Sequence, residues 1–320
     1  MEDRSRPGHG LSGSLPSLPA WAAVERAQTV EGASFLAGAT LTVLDGLLSD
    51  PAHGVPLELL ASRLALAAAA ATSKLEGRRA REEDIRDAYR LAPPGCPRGP
   101  DGDLLAFWRD AAGIRTAGPH WRAGVAELVG RNLEDEAVGW IDAGLDRAGI
   151  HGPLAGCMSA MAAALSADSR AERAACILSD AVLARALGWR SLLPVSALRL
   201  SKARLRDLAA GRRDAEPAVH AALLFSLQDA VALARHLSRR AAALNAVAPK
   251  LRARGASAAI ELLLREDAVA PSTDLSPVVR GTATAMTGRA ARRLCDRLVG
   301  LGVIRELTGR ATFRLYGIAP

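Results

Sequence analysis

The chain has 320 residues, of which 49% are hydrophobic and 3% aromatic, and its net charge is +7. Alanine has the highest helix propensity, whereas strands favour β-branched and aromatic side chains, so this alanine-rich composition predicts close-packed helices and argues against a strand-rich fold. A single core stops growing at roughly 250–300 residues, so the length predicts two domains of unequal size.

The first half of the chain predicts a tail followed by helices. Residues 1–19 are rich in Gly, Ser and Pro, which predicts a disordered tail. Apolar residues then recur from Trp21 onward at three- and four-residue steps and predict a helix whose buried face includes Phe35, Leu44 and Leu47. Further helices are predicted at Leu57–Leu75, with Gly77 as its stop, and at Arg81–Leu91, before a linker at 93–103.

The second half of the predicted bundle extends to residue 249. Three or four shorter helices are expected between residues 103 and 165. Ser169 and Glu172 have the spacing of a capping box and predict a helix that runs to Leu187. The longest helix is predicted to begin at Pro217, which suits a first helical turn, and Pro249 ends it. Residues 20–249 therefore predict an alanine-rich helical bundle.

The last segment, 250–320, has a different organisation. Helices are predicted at 256–265 and from Thr287 to Leu301, followed by strands at 303–307 and 311–316. Between Lys250 and Tyr316 stand twelve basic residues and six acidic ones. Nearly all of the excess positive charge therefore lies in this segment, which indicates a polyanionic partner.

The helix that begins at Thr287 carries its arginines away from its apolar side. Ala291, Leu294 and Leu298 step along one inward face, and the arginines between them project outward. A guanidinium group can bind phosphate or the O6/N7 edge of guanine with two hydrogen bonds. The predicted DNA-binding residues are these helical arginines together with two arginines of the hairpin: Arg289, Arg292, Arg293, Arg297, Arg310 and Arg314.

A helix, an arginine-rich helix and the run IRELTGRATFRLYG resemble a winged helix-turn-helix. The resemblance implies that the second helix enters a groove of double-stranded DNA and that the hairpin lies along the backbone. The sequence leaves an alternative open, in which these arginines form a solvated face and the domain packs against a partner protein or the bundle.

The run Thr72-Ser73-Lys74-Leu75-Glu76-Gly77 resembles the inhibitory-helix motif of Fic-type adenylyl transferases, in which Thr72, Glu76 and Gly77 are the motif positions. Fic enzymes also need a His-Pro-Phe loop followed by Gly-Asn-Gly-Arg, and none of the six histidines starts such a loop. A plain helix end with a C-cap glycine therefore explains the motif better. No catalytic residue, cofactor or metal site is predicted.

The four cysteines are scattered and show no zinc-site spacing, so they are expected to be reduced and mostly buried. The longest uninterrupted apolar run, Leu64–Ala71, is too short to cross a bilayer. We therefore expect a cytoplasmic protein that makes no contact with a membrane.

The segments ATSKLEGRRAREEDIRDAYRL, LSDAVLARALGW, VAPKLRARGA and AARRLCDRLVGLGVIRELTGRATFRLYG resemble the bacterial family of unknown function DUF1403 over roughly residues 20–317. The resemblance brings no activity. It implies an association with mobile or plasmid-borne replicons, and hence regulation or maintenance of DNA.

The fold expected from the sequence is mainly α, a helical bundle followed by a small winged helix-turn-helix with a two-stranded hairpin. The function expected first is that of a DNA-binding regulator or replicon-associated protein, with a possible homodimer. A diverged Fic-like nucleotidyl transferase and an antitoxin-like interaction module remain the alternatives.

Overall fold

The computed structural model describes residues 15–23, 29–93, 95–130, 132–310 and 312–319, which form a mainly helical protein with one short antiparallel sheet. The mainly helical fold with a two-stranded sheet near the C-terminus is thus confirmed. The elements are α1 (Val30–Ser49), α2 (Leu57–Leu75), α3 (Glu82–Leu91), α4 (Gly99–Gly113), α5 (Trp121–Val129), α6 (Glu134–His151), α7 (Pro153–Ala167), α8 (Glu172–Ala186), α9 (Lys202–Ala209), α10 (Ala215–Val247), α11 (Ala256–Leu263), α12 (Gly288–Gly300), β1 (Ile304–Glu306) and β2 (Tyr316–Ile318).

Helix α2 is buried along most of its length, and α3, α4 and α10 pack against it. Its alanine-rich middle offers apolar surface on every side, so neighbours can cover it all round. Near its end Thr72 is buried, and its Oγ1 accepts a hydrogen bond of 3.0 Å from Nε1 of Trp108 on α4. The chain then leaves the helix at Gly77, whose φ of 79° suits glycine. The predicted helix and its stop are both confirmed.

Small residues bring α6, α7 and α8 together. A β-carbon placed on Gly156 of α7 would lie 2.3 Å from the carbonyl oxygen of Gly144 on α6, and one on Gly144 would lie 2.8 Å from Val182 on α8. The backbones of α6 and α7 therefore touch at two glycines. The four helices α4, α5, α6 and α7 confirm the prediction of three or four helices over residues 103–165.

Helices α1 and α10 pack against each other. Leu44 and Leu47 of α1 are buried as predicted, but Phe35 is not. The buried residues of α1 also include Ala33 and Ala37, whereas Phe35 is 68% exposed and lies beside Trp21. Two residues along a helix correspond to about 200° of rotation, so Phe35 cannot share the face of Ala33 and Ala37. The side chains at that face are small, which lets α10 approach there.

Among the residues that the structure describes, two helices have the length and apolarity of a membrane span, namely Val30–Ser49 and the run Ala215–Lys250. In the second, 61% of the apolar window is buried inside the protein. A buried core helix has the same length and composition as a membrane span, so the expected lack of membrane contact stays a prediction.

Two local predictions near helix starts are wrong. Helix α4 begins at Gly99, inside the stretch predicted as a linker. Pro100 suits the first turn of this helix, because the backbone N–H that proline lacks would have no partner there. Helix α8 has no side-chain cap, so the predicted capping box does not form. The carboxylate of Asp168 instead accepts a hydrogen bond from the amide of Arg170 and holds the turn before α8.

The C-terminal hairpin, defined as residues 304–318, lies against the helical body. Strand β1 pairs antiparallel with β2, with Ile304 opposite Ile318. Arg63 on α2 donates a hydrogen bond of 2.6 Å to the carbonyl of Ile318, and Arg240 on α10 donates one of 2.8 Å to that of Gly302. One hydrophobic core includes Ala37 of α1 and Ile318 of β2. The predicted boundary at residue 250 stays a prediction, and residues 1–14 of the predicted tail lie outside the described residues.

Candidate nucleic-acid interface

Helix α12 is amphipathic, and the structure places its apolar side inward as predicted. The hydroxyl of Thr287 caps the helix by accepting a hydrogen bond of 3.2 Å from the amide of Ala290. Ala291, Leu294, Cys295 and Leu298 are buried. Because α-helical residues advance by 100° each, these four side chains occupy one side of α12 and leave the other side to solvent.

The exposed side of α12, called here the arginine face, consists of Arg289, Arg292, Arg293 and Arg297 with Asp296 among them. All four arginines are exposed. In the part of the chain that the structure describes, none of them forms a salt bridge with a carboxylate. With one carboxylate among four guanidinium groups, the arginine face keeps a clear positive charge.

The hairpin beside the arginine face differs in detail from its prediction. Strand β2 begins at Tyr316, so Thr312–Leu315 form a loop where a strand was expected. The carboxylate of Glu306 accepts hydrogen bonds from the amides of Thr308 and Gly309 at 2.8 and 3.0 Å. The connection between β1 and β2 spans residues 307–315 and is longer than the predicted three-residue turn.

The two hairpin arginines occupy different places. Arg310 forms a salt bridge of 3.2 Å with Asp87 on α3, so part of its charge is neutralised by the body. Arg314 is exposed, and its Nε donates a hydrogen bond of 3.2 Å to the carbonyl of Arg310. A hydrogen bond with the Tyr316 side chain raises the pKa of Arg314, which keeps its positive charge. Arg310 is therefore directed toward α3, whereas Arg314 lies beside α12 and lines the same cleft as Arg292.

A cleft of about 480 Å³ separates α12 from the loop of the hairpin. Arg292 lines it from α12, and Arg314 lines it from the hairpin. Phe313 also borders the cleft, is 71% exposed, and has a φ of 57°. This cleft could not be predicted from the sequence, because its walls are about 20 residues apart in the chain and meet only when the hairpin folds back.

A buried ionic cluster joins the C-terminal segment to the body at Glu266 and Asp267. Arg90 of α3 contacts both Glu266 and Asp267, and its distance to the Asp267 carboxylate is 2.6 Å. Arg109 of α4 contacts the same two carboxylates at 2.6 and 3.1 Å. Burial by itself would raise the pKa of Glu266, but the charges of Arg90 and Arg109 outweigh it and lower that pKa to about 2. Sequence reasoning missed this cluster, because its partners lie more than 150 residues apart.

The residues of the Fic-like motif lie at the C-terminal end of α2, where they make structural contacts. Thr72 is buried against Trp108, and Gly77 provides the left-handed stop. Glu76 forms salt bridges with Arg78, at 2.7 Å, and with Arg173 on α8. These contacts link α2 to α8.

The remaining reactive side chains are mostly buried. Burial raises the pKa of Cys157 to about 12, so its thiol stays protonated near neutral pH. Cys176 and Cys295 are buried as well, whereas Cys96 is exposed. Asp180 is fully buried, and burial raises its pKa to about 7 although the amides of Val195 and Ser196 donate hydrogen bonds to it. Within the described residues, no group of three or more His, Cys, Asp or Glu side chains could hold a metal ion.

The model of the family described as protein of unknown function (DUF1403) matches residues 10–318. No curated protein matches the chain.

Proposed function

This chain belongs to the protein family DUF1403, and we propose that it binds double-stranded DNA through the arginine face of α12 and the C-terminal hairpin. The observation that carries the proposal is the set of four exposed arginines on one side of a capped helix, without a carboxylate partner among the described residues. Neighbouring cations such as Arg280 are paired, which makes the arginine face distinct.

The like charges on α12 repel one another. Arg289 and Arg293 are four residues apart, as are Arg293 and Arg297, and like-charged pairs at this spacing destabilise a helix by about 0.2–0.5 kcal/mol each. A row of phosphates relieves this repulsion and releases its own condensed counterions. Contact with a polyanion therefore lowers the free energy of the arginine face relative to exposure to water.

The order of elements supports the use of this segment as a winged helix. Helix α12 has 13 residues and a length of about 20 Å, and a major groove about 12 Å wide accepts a single α-helix. In this arrangement α12 is the recognition helix and the hairpin is the wing. Residues 264–287, between α11 and α12, contain no helix, so the segment departs from a compact helix-turn-helix at this point.

A DNA-binding role places the protein in the bacterial cytoplasm as a regulator or a replicon-associated protein. The helical body then holds the C-terminal segment through the ionic cluster of Arg90 and Arg109. Capture of genomic DNA by the purified full-length protein would identify its sites.

The direct test is the salt dependence of duplex binding by the full-length protein. We expect Arg293→Ala to weaken binding to a short random-sequence duplex and to lower the slope of log K against log salt by about one, because one phosphate contact is lost. Arg147 on α6 is exposed and lies outside the C-terminal segment, so Arg147→Ala is the matched control and should leave the slope unchanged. Fluorescence anisotropy over a range of salt concentrations measures both.

Two results would contradict the proposal. One is the absence of salt-dependent binding of the full-length protein to any duplex. The other is an equal loss of binding in Arg147→Ala and Arg293→Ala, because such a loss would reflect net charge and not the arginine face.

A further inference from the structure

Phe313 combines two unfavourable properties in one residue. Its φ of 57° lies in the left-handed region, where a β-carbon meets the backbone and where glycine or asparagine is usual. Its ring is also 71% exposed, so the strained conformation gains little burial in return. A large apolar residue in an unfavourable conformation at the surface stabilises the fold poorly, and this combination indicates a contact outside the chain.

The surroundings of Phe313 indicate what that contact is. The ring borders the cleft between α12 and the hairpin, with Arg292 on one wall and Arg314 on the other. A hydrogen bond from Nε of Arg314 to the carbonyl of Arg310 holds Arg314 in place. The carboxylate of Asp296 also lines the cleft. Two guanidinium groups against one carboxylate leave an electropositive passage beside an exposed aromatic ring.

We propose that Phe313 is an apolar wedge that enters the minor groove of duplex DNA at a base step. The inference rests on the proposed DNA binding and adds to it the way in which the duplex is deformed. With α12 in the major groove, the strand that separates the two grooves passes through the cleft, and Arg292 and Arg314 contact its phosphates. Apolar side chains that enter between base steps partly unstack them and bend the duplex.

The experiment uses the full-length protein and two substitutions of Phe313. Phe313→Gly removes the ring and suits the left-handed backbone, so it should not lower the free energy of unfolding. Phe313→Leu keeps an apolar wedge. We expect Phe313→Gly to weaken binding to a short random-sequence duplex about tenfold, with an unchanged salt slope because the phosphate contacts remain.

Deformation of the duplex is measured separately on closed circular plasmid DNA relaxed by topoisomerase I in the presence of each protein. We expect the wild-type protein and Phe313→Leu to change the linking number, and Phe313→Gly to leave it unchanged, because only an inserted side chain unstacks the bases.

The outcomes separate the two proposals. Failure of the wild-type protein to bind any duplex refutes DNA binding and the wedge together. Salt-dependent binding without a change in linking number refutes the wedge alone and leaves the hairpin lying along the backbone. A marked loss of stability in Phe313→Gly also refutes it, since the ring would then be a structural element.

Discussion

The arginines that join the body to the C-terminal segment differ from those on α12 in both burial and pairing. The Arg90 side chain is 4% exposed and contacts two carboxylates, whereas the four arginines of α12 are exposed and have no carboxylate partner among the described residues. Both groups are positively charged. Arg90 contacts the C-terminal segment from the body, whereas the four arginines of α12 are part of that segment. Net charge therefore locates a basic segment, whereas pairing with carboxylates decides which of its cations remain available to a ligand.

The sharpest test of this comparison is the removal of a buried partner. We expect Arg90→Ala to lower the free energy of unfolding by about 3 kcal/mol, because it removes the most deeply buried cation of the cluster. The Asp267 carboxylate then keeps Arg109 as its single charged partner. Urea denaturation measures the change. The exposed pair of Arg122 and Asp142 provides the control, and Arg122→Ala should cost no more than about 1 kcal/mol. Similar losses in both variants would remove the distinction between the two groups.

Acid should weaken the same ionic cluster. The pKa of Glu266 is lowered from 4.5 to about 2, so its stabilising contribution is complete above the unfolded pKa and is lost as the pH falls through the folded one. This shift corresponds to roughly 3 kcal/mol between pH 6 and pH 1. We expect Glu266→Gln to flatten the acid limb of the stability profile, measured from urea midpoints across that range. A profile parallel to that of the wild-type protein would show that Glu266 does not carry this dependence.

A smaller effect is expected at the start of α12. Thr287→Ala removes the hydroxyl that caps the amide of Ala290 and should cost about 1 kcal/mol, whereas Thr287→Ser keeps the cap and should cost less. Thermal unfolding of the three proteins measures the difference. Equal stability of the alanine and serine variants would mean that the cap does not stabilise α12.

The smallest effect on stability is expected from the arginine face itself. Arg293→Ala should change the free energy of unfolding by no more than about 0.5 kcal/mol, because the side chain is exposed and loses only repulsion from Arg289 and Arg297. The loss of duplex binding expected for the same variant would then arise without a loss of folding. A destabilisation comparable to that of Arg90→Ala would show that Arg293 belongs with the structural arginines.

The arginine face could be predicted almost completely from the sequence, since Arg289, Arg292, Arg293 and Arg297 follow the helical period that also buries Leu294 and Leu298. The hairpin could be predicted only in part. In its turn the carboxylate of Glu306 accepts hydrogen bonds from backbone amides, and the first residue of its second strand, Tyr316, also pairs with Val269 from a distant segment.

Local features of this protein could be predicted from the amino-acid sequence: helix α2, its stop at Gly77, the long α10 and the outward arginines of α12. The pairing of Arg310 with Asp87, the exposure of Phe35, and the cleft shared by Arg292 and Arg314 depend on the tertiary structure. The two groups of features differ in the range of the interactions that produce them. Helical periodicity and capping act over a few neighbouring residues, whereas ion pairing and burial depend on side chains that the chain brings together from far apart.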